Sequence, residues 1–331
     1  MDDSILSTIG NTPVIELKNV FHEDKFQLFM KMEAMNPGGS AKDRSGYSML
    51  MHALETGEIN KDTVIIESSS GNLGIALAQI CCYLKLRFIC VVDVKTTEQN
   101  IKLLKAYGAE IDYVSEPDKV TGEYLQARLT RVKELLEQIP NSYRPNQYNN
   151  IYNPLGHQNA MREIDEYFNG DIDYVFCATS TCGTIRGYSE YISEHKLSTK
   201  VIAVDAVGSI IFGGERKKRL IPGHGAAVVP GLFYEGMVDT CIHVTDQDCI
   251  IGCRNLVEKE AVIAGGSTGA ILSAIKKVKD KIPDGSKCVM IMHDKGERYL
   301  DTIYSDDWVV EHFGKELLHS SWDDKVTMSS K

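Results

Sequence analysis

Short apolar runs alternate with longer amphipathic stretches along most of the chain. Phe26–Met32, Val64–Glu67, Arg87–Val92, Ile111–Val114, Tyr174–Ala178, Val201–Asp205 and Lys287–Met292 read as strands. Between them, Ile75–Leu84, Glu98–Tyr107, Tyr124–Gln138 and Ile271–Lys279 carry apolar residues at helical spacing. Strands that are apolar throughout and alternate with helices predict parallel sheet covered on both faces. The expected class is therefore α/β, with open, twisted, mostly parallel sheets flanked by helices. The polar segment Gln138–Asn150 is a candidate crossover between two α/β units. No fixed-period repeat and no low-complexity tract is visible. With 331 residues the chain can form two domains sharing a cleft.

Composition changes this picture little. The chain is 43% hydrophobic and 25% charged, ordinary for a globular protein. No apolar run reaches the ~18 residues of a membrane span. Met1-Asp2-Asp3-Ser4 lacks the basic start of a secretory leader. A net charge of −10 argues against nucleic acid as a partner but leaves anionic substrates open, since binding sites are local. There are nine cysteines. Cys81, Cys82, Cys90, Cys177 and Cys288 lie in apolar runs and read as buried thiols. Cys249 and Cys253 have no nearby pair to complete a zinc set, so no metal is expected. Reduced thiols without a leader point to the cytoplasm.

Candidate chemistry sits in four segments. In Asn36-Pro37-Gly38-Gly39-Ser40-Ala41-Lys42-Asp43-Arg44, Ser40 is a candidate N-cap and Ala41 onward reads as helix. Lys42 then lies in the positive field of a helix start. That field, with any burial, lowers its pKa toward the neutral amine that Schiff-base chemistry needs. The bland alternative is an exposed lysine.

Ser68-Ser69-Ser70-Gly71-Asn72-Leu73-Gly74 follows a strand and opens a helix. It could bind a carboxylate at backbone N–H groups, or it could be a capped helix with glycine packing. Thr179-Ser180-Thr181-Cys182-Gly183-Thr184 could cradle a phosphate, or could cap a helix with hydroxyls. Ala264-Gly265-Gly266-Ser267-Thr268-Gly269-Ala270 allows close backbone approach beside the Ser267 hydroxyl, or is a turn and a cap. All three loops are expected at carboxyl ends of strands, where α/β sheets hold ligands.

In this order the segments resemble the fold-type-II pyridoxal-phosphate enzymes, the cysteine synthase and cystathionine β-synthase family. The resemblance runs from Ile5 to about Trp308. It includes Ile9-Gly10-Asn11-Thr12-Pro13, Asn146-Gln147-Tyr148 and Asp294-Lys295-Gly296-Glu297-Arg298-Tyr299-Leu300. It implies a tryptophan-synthase-β-like architecture. Residues 35–150 would form a smaller mobile domain and 1–34 with 151–318 a larger cofactor domain, leaving 319–331 as a polar, frayed tail. It implies a homodimer.

It also implies that Lys42 carries pyridoxal 5′-phosphate covalently and that Asn72 bonds its ring oxygen. Ser180, Thr181, Cys182, Gly183 and Thr184 would hold its phosphate, and Ser267 would face its ring nitrogen. Ser69, Ser70 and Gln147 would receive the substrate carboxylate. A serine at the ring nitrogen cannot keep it protonated, which favours β-elimination and replacement over transamination, with Lys42 moving the Cα proton.

The chain departs from ordinary cysteine synthases at two places. Gln158-Asn159-Ala160-Met161-Arg162-Glu163 stands where they have Thr-Thr-Gly-Pro-Glu, and Ser-Thr-Cys-Gly-Thr stands where they have Gly-Thr-Gly-Gly-Thr. Val207–Gly213, Ala264–Gly269 and Tyr304–Trp308 look most like the siderophore-pathway N-(2-amino-2-carboxyethyl)-L-glutamate synthases. Such enzymes join O-phospho-L-serine to L-glutamate and release phosphate, giving a precursor of 2,3-diaminopropionate. The alternatives are a cysteine synthase using sulfide with O-acetylserine or O-phosphoserine, and a non-catalytic ligand-binding protein on the same scaffold.

One residue favours a phosphorylated substrate. Arg128 falls on or beside the stripe Leu125, Leu129, Val132 and Leu136, and an inward arginine needs an anion. It could instead reach solvent, or pair with Glu123 or Glu134. Tyr148 is a second substrate candidate, or a buried structural tyrosine. The run Arg216-Lys217-Lys218-Arg219 could steer acidic substrates, or simply be solvated. Lys295 and Arg298 lie near a strand end, with nothing in the sequence selecting them for a role.

Overall fold

A computed structural model describes residues 3–22 and 25–319. The tail expected at 319–331 therefore lies outside the described residues, except that His319 closes a short 3-10 helix, Lys315–His319.

The strands are β1 (Val14–Glu16), β2 (Gln27–Lys31), β3 (Val64–Ser68), β4 (Arg87–Asp93), β5 (Glu110–Val114), β6 (Ser142–Tyr143), β7 (Tyr174–Ala178), β8 (Lys200–Ala206), β9 (Thr240–Val244) and β10 (Lys287–Ile291). The helices are α1 (Lys42–Glu55), α2 (Asn72–Leu84), α3 (Glu98–Ala106), α4 (Tyr124–Gln138), α5 (Tyr152–Phe168), α6 (Gly183–Glu194), α7 (Asp246–Glu260), α8 (Gly266–Val278) and α9 (Asp306–Phe313).

They form two sheets, ordered β1-β2-β10-β7-β8-β9 and β5-β4-β3-β6. Every pairing is parallel except β1 with β2. The central strands β3, β7 and β10 are almost wholly buried because helices cover both faces, which is why they read as unbroken apolar runs. The strands missing from the sequence reading are short or marginal. β1 and β6 have three and two residues, and β9 is a half-buried edge with no continuous apolar run. β6 lies inside the segment expected to be a crossover.

Three local expectations need correction. α1 begins at Lys42 with Ala41 as its N-cap. Ser40 acts one position early, its Oγ accepting the Lys42 N–H at 3.2 Å. Cys82 is exposed, since it lies on the outer face of α2 while Cys81 points inward. The glycine loop before α8 follows helix α7, not a strand. It reaches the sheet edge through a bridge between Ala264 and Lys295, just beyond β10. No described helix is long and apolar enough to cross a membrane, and no cluster of potential metal ligands occurs among the described residues.

Candidate active site

Four helices, α1, α2, α6 and α8, begin at the wall of one cavity, where Lys42, Asn72, Gly183 and Ser267 are lining residues. None is capped by the side chain of its N-cap residue; these are Ala41, Gly71, Cys182 and Gly265. Elsewhere Thr97, Thr245 and Ser305 do cap α3, α7 and α9. Helix starts leave backbone N–H groups unpaired and carry a positive partial charge. The cavity therefore collects the features of an anion site in several places at once. The Ser69 hydroxyl takes one of these groups, the Gly74 N–H, at 2.8 Å.

All thirteen residues singled out in the sequence line this cavity: Lys42, Ser69, Ser70, Asn72, Arg128, Gln147, Tyr148, Ser180, Thr181, Cys182, Gly183, Thr184 and Ser267. They come from both sheets and from segments far apart in the chain.

Burial holds the Lys42 amine below its ordinary range, against the opposing pull of Cys177, Asp294 and Glu33. Its neighbours favour that state. Burial pushes His293 down to about 3, His157 falls well below its usual value for the same reason, and Cys177 is pushed up. A lysine among neutral groups, facing helix starts, is poised as a neutral nucleophile or base.

The loop at the start of α6 offers backbone N–H groups to the cavity. Cys182 has φ +65°, the left-handed region, where a β-carbon costs about 1–2 kcal/mol and glycine is free. This conformation gives a physical reason for the glycine that cysteine synthases usually have there. A β-carbon at Gly183 would stand 2.3 Å from Asn153 Oδ1, so that position admits only glycine. His157 props this loop from behind. Its Nε2 lies 2.9 Å from Ser45 Oγ and 3.3 Å from Thr184 Oγ1. Gly71 has open space where a β-carbon would point, and a β-carbon at Gly223 would stand 3.6 Å from the Ser267 Oγ.

Asn72 is more engaged than the sequence suggests. Its Nδ2 donates to Asp294 Oδ2 at 2.8 Å, and its Oδ1 accepts from Arg298 Nη1. One amide hydrogen is left for a ligand. Tyr299 also donates to Asp294 Oδ2, and Arg298 Nη2 donates to the Gly38 carbonyl at 2.6 Å. Arg298 thus ties the Lys42 loop to Asn72. His293, another lining residue, was not singled out in the sequence. Its place two residues beyond β10 is the signal that could have found it.

Arg128 pairs with neither Glu123 nor Glu134, which bind Arg216 and Arg131 instead. The buried line on α4 is Val132 and Leu135, and Arg128 extends it by one turn into the cavity. Its Nε is 3.1 Å from Asp93 Oδ2, yet misaligned, so that close pair makes no hydrogen bond. Tyr148 is held in the wall by the turn after β6, and burial raises its hydroxyl pKa against the influence of Arg128.

A buried lysine with a lowered pKa, backbone N–H groups at the start of α6 and a hydroxyl at the start of α8 are groups that a flat, phosphorylated aromatic aldehyde could engage. Comparisons with known proteins agree. Residues 5–294 match the family described as pyridoxal-phosphate dependent enzyme. An O-acetylserine-dependent cystathionine β-synthase from Helicobacter pylori is 31% identical, with 92% of this chain and 99% of that chain covered and a TM-score of 0.85. An O-ureido-L-serine synthase is 28% identical, covering 97% and 100% of the two chains, with a TM-score of 0.86. O-acetylserine sulfhydrylase isoform 3 from Entamoeba histolytica is 29% identical, covering 96% and 95%, with a TM-score of 0.85. The chain belongs to the pyridoxal-phosphate-dependent enzyme family, and pyridoxal phosphate is its cofactor.

Proposed function

We propose that this pyridoxal-phosphate enzyme replaces the phosphate of O-phospho-L-serine with the amine of L-glutamate, giving N-(2-amino-2-carboxyethyl)-L-glutamate. The supporting observation is Arg128. It enters the cavity along a buried helix line, and its buried Nε, though 3.1 Å from Asp93 Oδ2, makes no hydrogen bond. A phosphate ester would give this guanidinium the aligned, hydrogen-bonded anion that Asp93, close but misaligned, does not provide.

Lys42 would anchor the cofactor; Ser180, Thr181, Cys182, Gly183 and Thr184 would hold its phosphate at the start of α6; Ser267 would face its ring nitrogen; and the free amide hydrogen of Asn72 would meet its ring oxygen. The bound cofactor supplies an electron sink for the bonds at the substrate Cα. Ser69, Ser70 and Gln147 hold the substrate carboxylate at the start of α2. Lys42, its amine held below the ordinary range by burial, takes the proton from Cα and later returns it. Arg128 and Tyr148 orient the phosphate ester, which leaves Cβ as inorganic phosphate. The glutamate amine forms the new Cβ–N bond and gives up a proton.

Sulfide with O-acetylserine or O-phosphoserine is the second reading, favoured by the similarity to the Entamoeba histolytica sulfhydrylase. Supplying O-phosphoserine with glutamate or with sulfide, separately, and weighing the products decides between them. A glutamate adduct is expected; cysteine from sulfide with no glutamate adduct sinks the proposal. Arg128→Met should raise the KM for O-phosphoserine roughly ten- to hundredfold, the worth of a charge-assisted hydrogen bond, and leave that for O-acetylserine within about twofold. Equal losses with both esters would remove the phosphate role.

A further inference from the structure

We propose that Arg219 binds a carboxylate of the amine nucleophile, an assignment that rests on the phosphoserine–glutamate reading above. Three guanidiniums, those of Arg128, Arg144 and Arg219, act on the hydroxyl of Tyr148 in the cavity wall. Two of them have carboxylates beside them: Asp93 lies 3.1 Å from Arg128 Nε and Glu67 lies 3.4 Å from Arg144 Nε. Arg219 has none within ion-pair distance among the described residues. Its Nη1 donates to the His224 carbonyl at 2.8 Å, and that is its only hydrogen bond there.

Asp205 and Asp246 act on Arg219 through space, and neither reaches ion-pair distance. Both oxygens of Asp246 accept backbone N–H groups, from Leu220 at 2.8 Å and Ile221 at 3.2 Å. Asp205 accepts the Ala206 N–H at 2.9 Å and acts on Arg219 only through space. Arg219 is half-buried, while Arg216, Lys217 and Lys218 of the same basic run are exposed. It is the one member of that run whose charge acts on Tyr148 of the cavity wall.

Its position is fixed by contact. The guanidinium lies over Gly225, where a β-carbon would stand 2.5 Å from Nη1. The Gly225 carbonyl in turn accepts from the hydroxyl of Ser180, a lining residue, at 3.4 Å. A half-desolvated guanidinium with most of its five donors free calls for a planar anion, and a carboxylate matches its fork. The phosphate groups of cofactor and substrate already have the start of α6 and Arg128. A dianionic amino acid arriving at Tyr148 still needs a cation that no protein acid has claimed.

The test separates the two half-reactions in the holoenzyme. Arg219→Met should raise the KM for L-glutamate roughly ten- to hundredfold. Single-turnover phosphate release from O-phosphoserine and the cofactor absorbance should stay within about twofold, and Arg219→Lys should recover part of the loss. The wild-type preference for glutamate over either glutamine or glutamate α-amide should fall by a similar factor in Arg219→Met. An unchanged glutamate KM overturns the assignment. So does a parallel loss of phosphate release, which would place Arg219 with the cofactor or the phosphate ester. If Arg219→Met does not fold, an unchanged glutamate KM in Arg219→Lys overturns it equally. A wild-type enzyme that releases phosphate but forms no glutamate adduct instead sinks the underlying reading.

Discussion

Lys42→Ala is expected to abolish both turnover and the visible absorbance of a lysine-bound cofactor, while the fold survives. The side chain ends in the cavity among His157, His293 and Cys177, all held uncharged, and burial keeps its own amine low. Among the described residues no other lysine lines the cavity to take over attachment or proton transfer. General base catalysis alone is worth roughly two to four orders of magnitude, and loss of covalent anchoring adds to this. Truncation also removes a buried amine that no acid pairs directly, so stability should hold or rise. The measurements are the absorbance spectrum of the purified variant, turnover, and the thermal midpoint. A variant retaining the wild-type absorbance band would overturn the assignment of Lys42.

Arg44→Met should cost roughly 3–5 kcal/mol of stability, because it breaks a buried ion network and leaves carboxylates without a partner. Arg44 donates to Glu33 through Nε at 2.7 Å and Nη2 at 2.9 Å, and to Glu163 through Nη1 at 2.8 Å and Nη2 at 2.7 Å. Lys31 completes the set, its Nζ 2.6 Å from Glu163 and 2.7 Å from the Thr12 carbonyl. Two cations and two anions balance. Removing Arg44 leaves Glu33, with no exposed surface, against only the Thr12 hydroxyl, Asn36 and the distant charge of Lys31.

The pH dependence follows from the same groups. Burial pulls the Glu33 and Glu163 carboxyls upward, and Arg44 overrides it, leaving both below their ordinary 4.5. A depressed folded-state pKa gives stability that is complete above the unfolded value and lost as pH falls through the folded one. In Arg44→Met that acid loss should begin at higher pH. Urea midpoints at pH 7 and pH 5 measure both effects. A midpoint at pH 7 within experimental error of wild type would mean the network contributes little. The network also bears on the site, since Arg44 stands two residues after Lys42 and fixes the first turn of α1 against β2 and α5.

Much of the site was legible because its chemistry lies in contiguous loops. The Ser-Ser-Gly-Asn turn, the Ser-Thr-Cys-Gly-Thr cup and the glycine loop each carry their function in backbone N–H groups and small hydroxyls, which a short window displays. Arg128 was legible as an inward arginine from the spacing of α4, but its neighbour was not. Asp93 closes β4, thirty-five positions earlier, and only the packing of α4 on that strand brings the two together. The hold of Asp294 and Arg298 on Asn72 was invisible for the same reason, spanning more than two hundred residues.

By itself the sequence determined the α/β alternation and singled out Lys42 and the three glycine- and hydroxyl-rich loops. Apolar periodicity and helix-start chemistry are local properties that survive without a fold. The tertiary structure decided which charges are buried. Glu33, Asp43 and Arg44 look like ordinary polar positions around a helix start, and all three are inside. It also decided that Cys182 adopts a glycine conformation, and that one arginine of an exposed basic run is half-buried with no acid within ion-pair distance among the described residues. Those outcomes depend on long-range pairing, whose energy comes from desolvation and from partners distant in the chain, and no local pattern encodes it.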